Sequence, residues 1–208
     1  MTKIYELSEL NIKDLSLKKK SDRLIYFHNA YSIPILFRTP ALYCKNNLIK
    51  KETKYSIYEL SVILKSIISD NTDICIKFFE SIDETLVELG KVNKQNWPFD
   101  HSKKIKYKSL VGFDNEIKFK IINSKDFNTL VFDELGNIIP FNDYSIKLVK
   151  NIYVKLTIEL VGIWFDNNVY SAYLRLHEIR IVNKKKLSKN EGDDYDYDYD
   201  YVLSESTE

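Results

Sequence analysis

The residue types that could carry out catalysis are few in this chain, and they do not stand in catalytic spacing. Its three histidines, His28, His101 and His177, are scattered, and none lies in a metal-binding or nucleophile-activating motif. Its five glycines form neither a GxxxxGK motif followed by Ser or Thr nor a GxGxxG motif, so neither of these phosphate-cradling loops is present. We therefore expect no enzymatic activity, no cofactor and no bound metal.

Two other groups that could do chemistry are better explained as structure. Cys44 and Cys75 have no Cys or His neighbour in metal spacing, which favours reduced, buried thiols. Asp83-Glu84 falls within a predicted helix, where we expect both carboxylates to be solvated surface.

Binding chemistry is better represented, because aromatic residues repeatedly stand within two positions of Lys or Arg, as in Lys118-Phe119-Lys120 and Tyr173-Leu174-Arg175. Cations hold a nucleic-acid backbone and aromatic rings stack on unpaired bases, each stacked base contributing about 1–3 kcal/mol. Phe and Tyr also fill β cores, so we take as candidates the side chains that alternate with the predicted core set. The predicted contact residues are Arg38, Lys106, Tyr107, Lys118, Lys120, Tyr153, Lys155, Tyr173 and Arg175. Trp164 is a weaker candidate, because strand parity places it with the core residues.

The charge of the chain is segregated. The formal net charge of the 208 residues is +1, but residues 1–190 hold 31 basic and 22 acidic residues, a net charge of +9. Residues 191–208 hold eight acidic residues and no Lys or Arg. We expect the basic body to attract polyanions and the acidic tail to compete with them for the same surface.

The elements that must position these residues are mostly strands. Short apolar stretches rich in β-branched and aromatic residues run from position 24, while residues 1–22 are polar and are predicted to be an extension. Residues 54–64 fit a strand or a helix, with their β-branched residues favouring a strand. Thr72–Leu89 is the clearest helix, with apolar residues on one face and Gly90 in a position typical of a helix end.

The last part of the predicted domain is a long hairpin. Residues 152–164 alternate apolar and polar side chains, Asp166-Asn167-Asn168 is a turn signal, and residues 169–182 form the return strand. The apolar phase of the return strand shifts by one residue, which predicts a β-bulge near His177-Glu178. Together these elements predict one mainly β domain at residues 23–182, most economically a partly closed antiparallel barrel with one inserted helix. Residues 183–208, a basic stub and the acidic tail, are predicted to be disordered.

The early part of the predicted domain resembles a known family. Residues 35–40, Ile-Leu-Phe-Arg-Thr-Pro, resemble an early strand of the single-stranded DNA-binding proteins of large cytoplasmic DNA viruses. Tyr55-Ser56-Ile57, then the helix with Ile82-Asp83-Glu84, and then Trp97 follow in the order that the family has. Virus-like yeast cytoplasmic linear plasmids are an equally suitable source for a chain of this length and composition.

The final hairpin is also similar to that family. Residues 159–165 end in Gly-Ile-Trp-Phe, and residues 170–176 resemble the family's return strand, in which Tyr-Gly is followed by a Trp and then a Lys. Ser171 stands where the family has Gly and Tyr173 where it has Trp, so a stacking ring is kept, while Arg175 keeps the cation. The resemblance implies an OB-type barrel that coats displaced strands during replication.

Two functions of different classes follow. The first is binding of single-stranded DNA without sequence specificity during DNA replication, with replication proteins such as a polymerase or helicase as further partners and self-association as another interaction. The second is an interaction or scaffold role in a virion or transcription complex, without preference for single strands. Residues 1–10 have no apolar segment of the kind that signal peptides carry, and no stretch is long and apolar enough to span a membrane, so we expect a cytoplasmic location.

The tail alternates charge with aromatic rings, which are the two features that a single-strand groove binds. We predict that it acts as a polyanion mimic and as a hook for partners through Asp194, Tyr195, Asp196, Tyr197, Asp198, Tyr199, Asp200 and Tyr201. Its self-repulsion favours an extended segment.

Deletion of residues 191–208 should tighten binding of single-stranded DNA at low salt, because a competitor of like charge to the DNA is removed. The difference should fade as salt screens the interaction. Fluorescence titrations of both proteins with oligo(dT), at low and at high salt, measure this effect. Equal affinities at low salt would leave only a solubilising role for the tail.

Overall fold

The computed structural model describes residues 3–28, 34–51, 57–64, 72–93, 95–98 and 102–183. The predictions for His101, for Tyr55-Ser56 and for residues 184–208 lie outside the described residues. Two helices are described, α1 at Thr72–Asn93 and α2 at Tyr144–Lys147, together with four short 3-10 helices. The strands are β1 Ile4–Glu6, β2 Ser16–Ser21, β3 Leu24–His28, β4 Leu36–Arg38, β5 Leu42–Cys44, β6 Ile49–Lys51, β7 Ile57–Ile63, β8 Lys106–Tyr107, β9 Glu116–Ile122, β10 Leu130–Phe132, β11 Tyr153–Asp166 and β12 Val169–Val182. The mainly β prediction is confirmed.

Strand β11 is the centre of the sheet. One of its edges pairs with β12 from Tyr153 to Asp166, and the other edge pairs in turn with β5, β4 and β3. The hairpin turns through Asn167 and Asn168, with Asn167 at φ 52°, as the turn signal predicts. Strand β7 continues the sheet from β5 and pairs with β9 on its opposite edge.

The sheet curls into a barrel that strand pairing leaves open between β9 and β12, as the prediction of partial closure requires. Thr129, 1% exposed, lies at this gap. Its amide donates to the carbonyl of Ile122 at 2.8 Å, and its hydroxyl donates to the carbonyl of Leu176 at 2.9 Å. One buried threonine therefore connects the two strands that do not pair.

Most strand pairs are antiparallel, as predicted, but three short pairs are parallel: β1 with β4, β8 with β12, and β10 with β12. Each of these strands is separated from its partner by a long stretch of chain, which parallel pairing requires. The polar segment predicted as an N-terminal extension contributes β1 and β2 to the sheet, with β2 pairing along β3.

Helix α1 continues four residues past its predicted end, so Gly90 lies inside the helix. A Cβ at Gly90 would lie 2.0 Å from the hydroxyl oxygen of Tyr170, so this glycine allows the tyrosine to reach the helix. Phe78, Ile82 and Leu86 of the predicted apolar face are buried, as expected, but two positions differ from the prediction. Ile74 is 45% exposed, whereas Phe79 is buried and packs edge-on against Phe37.

Asp83 is not the solvated side chain that its helical position predicts. Its carboxylate accepts hydrogen bonds from the hydroxyl of Tyr107 at 2.5 Å, from the hydroxyl of Ser109 and from the amide of Leu110 at 3.0 Å. Burial, followed by the bond to Asp83, raises the pKa of Tyr107. Asp83 thus ties the segment after β8 to helix α1.

Close approach of β3 to β11 depends on Gly162. A Cβ at this position would lie 2.0 Å from the carbonyl oxygen of Ile25, so Gly162→Ala should push β3 away and lower the free energy of unfolding by about 1–3 kcal/mol. Gly112→Ala is the matched control, because its Cβ would lie 3.3 Å from the nearest atom, and its effect should stay below about 1 kcal/mol. Urea unfolding of the three proteins measures both effects, and equal losses would contradict this role of Gly162.

Candidate nucleic-acid interface

Two irregularities decide which side chains of β11 and β12 face outward. Thr157 pairs with Glu178 and Ile158 with Leu176, so His177 is the extra residue of a bulge. This confirms the bulge predicted near His177-Glu178. A second register shift lies between Leu160 and Gly162.

The second shift reverses the parity of β11. Ile163 is fully buried, and Trp164 is 39% exposed on the outward face. Strict alternation along β11 would place Trp164 on the same face as the core residues. That prediction is wrong, because the bulge adds one residue to the strand and so reverses which face each later side chain occupies. Trp164 therefore lies beside Tyr173, with ring centroids 5.9 Å apart.

Glu159 organises the outward face of the hairpin. Arg175 donates from Nη1 to Glu159 Oε2 at 3.1 Å, and Nε2 of His177 lies 2.8 Å from the same oxygen. The Glu159 side chain is only 12% exposed, so its interaction with Arg175 is partly shielded from water. One carboxylate therefore sets the positions of two side chains on the bulged strand.

Aromatic rings surround the Arg175 guanidinium. Its central carbon lies 5.2 Å from the ring centroid of Phe127 and 5.9 Å from that of Tyr173. Phe127 also packs edge-on against His177 at 4.9 Å. We call Glu159, Arg175, His177, Phe127, Tyr173 and Trp164 the Glu159 cluster; it combines a fixed cation with rings on one outward surface.

A second group of cations lies further along the same hairpin. Arg180 bonds Glu178 at 3.2 Å and lies 4.4 Å from the ring centroid of Phe132. Lys155 pairs in register with Arg180, and Arg38 on β4 pairs in register with Thr157. Two predicted contact residues, Lys155 and Arg38, therefore lie on strand segments that adjoin the Glu159 cluster.

Two predicted aromatic contacts make interior contacts instead. Tyr153 is 5% exposed and its ring packs against that of Tyr43 at 5.6 Å. The hydroxyl of Tyr107 bonds Asp83, and its ring packs against Tyr170 at 5.0 Å. In this conformation both rings stabilise the domain.

The remaining predicted cations lie on other strands. Lys106 is exposed on the short strand β8. Lys118 and Lys120 are exposed on β9, which is separated from β11 by β7 and β5 in the pairing order. Lys118 lies 3.7 Å from Glu116, so its charge is partly offset.

Sequence reasoning missed Phe127, Glu159 and His177, and it missed a contact in the N-terminal segment. Lys20 donates from Nζ to the hydroxyl of Tyr26 at 3.0 Å and lies 4.8 Å from the ring centroid. Phe127 lies in a loop, where no alternation marks an outward side chain. For the contact between Lys20 and Tyr26, the signal in the sequence was the run of three lysines at residues 18–20.

A shallow pocket of about 320 Å³ lies at the turn of the β11–β12 hairpin. It is lined by Asp22, Arg23, Pro98, Lys103, Phe165, Asn167 and Asn168. Polar and charged side chains predominate in this lining, which suits a hydrated polar ligand better than an apolar one.

The structure also bears on the predictions for the two cysteines, for a metal site and for a membrane-spanning segment. Burial raises the pKa of the Cys44 and Cys75 thiols to about 12, and both are free and buried. Within the part of the chain that the structure describes, no three His, Cys, Asp or Glu side chains are grouped to hold a metal ion. None of the described helices combines the length and the apolar character that crossing a membrane requires.

No protein-family model matches the sequence, and no curated protein matches it. The fold is similar to that of the single-stranded DNA-binding protein from bacteriophage Enc34, truncated at its C-terminus, with 14% identity, coverage of 82% of this chain and 96% of that chain, and a TM-score of 0.45. The same phage protein in complex with single-stranded DNA gives 13% identity, 81% and 95% coverage, and a TM-score of 0.44. The single-stranded DNA-binding protein gp2.5 of bacteriophage T7 gives 15% identity, 71% and 91% coverage, and a TM-score of 0.43.

The carboxyl of Glu116 supports a pH prediction. A hydrogen bond from Ser61 at 2.5 Å, followed by one from Lys45 at 3.0 Å, lowers the pKa of Glu116. Because the folded-state pKa lies below the unfolded one, this group stabilises the fold above its unfolded pKa. That contribution is lost as pH falls through the folded pKa.

Ser61→Ala should raise the pKa of Glu116 and reduce stability more at neutral pH than at acidic pH. Urea unfolding across pH, with an NMR titration of the carboxyl, measures both effects. Ser145→Ala, at an exposed serine of α2, is the control. A stability loss independent of pH, with an unchanged pKa of Glu116, would contradict the assignment.

Proposed function

We propose that this chain binds single-stranded DNA without sequence specificity and coats displaced strands during replication. The observation that carries the proposal is the Glu159 cluster, in which a guanidinium, the exposed ring of Trp164 and the half-buried rings of Tyr173 and Phe127 share one outward surface. The cation suits a phosphate, and the rings suit unpaired bases. The proposal assigns no reaction to the chain.

Preference for single strands follows from the aromatic part of the cluster. In a duplex the base faces are stacked on one another, so Trp164 and Tyr173 have no base face to contact. In a single strand those faces are available, and any base offers one. Stacking of this kind therefore predicts tolerance of sequence.

The arrangement also lowers the cost of binding. Arg175 is already held by Glu159 and lies against two rings, so less side-chain freedom is lost when a strand binds. The net charge of +9 on residues 1–190 adds a general attraction for a polyanion, which makes affinity dependent on salt. Lys155 and Arg38 are the nearest predicted cations along the hairpin.

We further propose a replication role in a cytoplasmic DNA virus or a virus-like linear plasmid, as the resemblance of the sequence implies. The acidic tail is proposed to recruit a polymerase or helicase. The body at residues 23–182, with its paired N-terminal strands, is proposed to be the DNA-binding unit.

Titration with oligo(dT) and with a duplex of the same length, at two salt concentrations, tests the proposal. Single strands should bind more tightly at both salts. Trp164 emission should be quenched on binding, because Trp164 is 39% exposed, whereas Trp97 is 5% exposed. Equal affinity for duplex and single strand would contradict the proposal and favour the scaffold function.

Trp164→Ala should weaken oligo(dT) binding by about 1–3 kcal/mol, as expected for loss of one stacked base. Phe113→Ala is the matched control, because Phe113 is a 91% exposed ring outside the Glu159 cluster. Arg175→Ala should flatten the log–log salt dependence by about one unit if the guanidinium contacts a phosphate. Variants that bind like the Phe113→Ala control would exclude the Glu159 cluster as the site.

The predicted contribution of β9 has a separate test. Lys118→Ala with Lys120→Ala should lower both affinity and salt slope if this strand also contacts DNA. An unchanged slope in that double variant would confine the interface to the β11–β12 hairpin and its neighbours.

A further inference from the structure

The outward face of β11 continues onto the N-terminal hairpin of β2 and β3. Trp164 on β11 pairs in register with Leu24 on β3. The neighbouring pair, Ile163 with Ile25, is buried in the core. Residues paired in register project to the same face of a sheet, and side chains two positions apart on a strand share a face. Leu24 and Tyr26 therefore lie on the face that exposes Trp164.

Two lysines of β2 lie on this same face. Lys18 is exposed and pairs in register with Tyr26. Lys20 lies at a register shift of the β2–β3 ladder, and its Nζ donates to the hydroxyl of Tyr26 at 3.0 Å. The same ammonium lies 4.8 Å from the centroid of the Tyr26 ring. Two cations therefore lie beside one tyrosine on the face that carries Trp164.

Charge pairing separates Lys18 and Lys20 from several other cations of the domain. Arg175 lies 3.1 Å from a glutamate oxygen, and Lys19 lies 3.0 Å from an oxygen of Asp22. Within the described residues, no Asp or Glu forms such an ion pair with Lys18 or Lys20. The two lysines therefore add positive charge that no carboxylate offsets to the face of the Glu159 cluster, and such charge suits a phosphate.

The core anchors the hairpin that carries these lysines. Ile25 and Phe27 on β3 are buried, and β3 is hydrogen-bonded to β11. Tyr26, which lies between them in sequence, holds Lys20 through its hydroxyl and through the face of its ring. Lys20 therefore loses less side-chain freedom on binding a phosphate than an unsupported surface lysine loses.

We propose that Lys18 and Lys20 bind backbone phosphates of the single strand whose bases stack on the Glu159 cluster. Tyr26 is the positioning residue that holds Lys20 for this contact. The N-terminal segment is then part of the interface and not an appendage. The inference rests on the proposed function and identifies a second phosphate-binding element of the same surface, separated from β11 by strand β3.

The salt dependence of oligo(dT) binding tests the two lysines. Lys18→Ala with Lys20→Ala should flatten the log–log slope by about 0.7 to 1 unit for each lysine, because each lost phosphate contact leaves counterions on the DNA. Near 0.15 M salt the affinity should fall by about 10-fold. Urea unfolding of the variant identifies any loss that arises from unfolding.

Lys13→Ala with Lys91→Ala is the matched control, because it also removes two positive charges from exposed positions. Lys13 lies in a short 3-10 helix that contacts α1, and Lys91 lies on α1 next to Gly90. Gly90 adjoins Tyr170, which is buried, so this end of α1 lies on the core side of β12. The control should leave the slope nearly unchanged. Equal slopes in the two double variants would overturn the proposal.

A double-variant cycle tests the positioning role of Tyr26. Tyr26→Phe removes the hydroxyl that holds Lys20 and keeps the ring, so the affinity for oligo(dT) should fall by about 2- to 10-fold. In a Lys20→Ala protein the same substitution should have almost no effect, because Tyr26 acts through Lys20. A loss of equal size with and without Lys20 would overturn the positioning role.

Lysine acetylation of the protein without substitutions provides a second measurement. Bound oligo(dT) should slow the reaction of an N-hydroxysuccinimide ester at Lys18 and Lys20, but not at Lys13 and Lys91, as read by mass spectrometry. Unchanged rates at Lys18 and Lys20 would overturn the contact while single-strand binding persisted. If the protein showed no preference for oligo(dT) over duplex, the proposed function itself would fail.

Discussion

The backbone of β11 has to find hydrogen-bond partners along both edges over 14 residues, and the rest of the domain is arranged around this requirement. Strand β12 satisfies one edge because the Asn167-Asn168 turn returns the chain directly alongside it. The other edge is satisfied by three short strands from the first quarter of the chain. Pairing between the early strands and the final hairpin therefore stabilises both.

The same strand determines the outward surface. Two register shifts would be defects in a regular ladder, but here one turns His177 toward Glu159 and the other turns Trp164 out of the core. A bulge re-aims side chains by leaving one residue of the ladder unpaired. In this domain the two bulges bring Arg175, Glu159 and the aromatic rings to one face of the sheet. Regular alternation along β11 and β12 would place some of these side chains on the opposite face.

Charges matter in this protein both over the whole chain and within individual ion pairs. Over the whole chain, basic residues 1–190 and an acidic tail nearly cancel. Locally, Glu159, Glu178 and Glu116 each hold one or more cations in defined positions. Paired carboxylates lower the net charge of the surface, but they fix the geometry of the cations, and fixed geometry favours a rigid binding surface over a diffuse attraction.

The sequence by itself determined the mainly β class, the β11–β12 hairpin with its turn, the bulge near His177 and the start of α1, because alternation, turn residues and caps act within a few residues of one another. It also identified Tyr173 and Arg175 as outward side chains. It could not reveal that Gly90 and Gly162 serve close approaches to Tyr170 and Ile25, that Asp83 binds the segment after β8, or that residues 4–21 pair into the sheet. Those features depend on which distant segments meet, and only the tertiary structure decided them, since a glycine or a carboxylate has the same local pattern whether or not a partner arrives. Trp164 illustrates this difference between local pattern and tertiary structure most clearly. Its ring faces outward only because of a bulge that the pairing of β11 with β12 imposes.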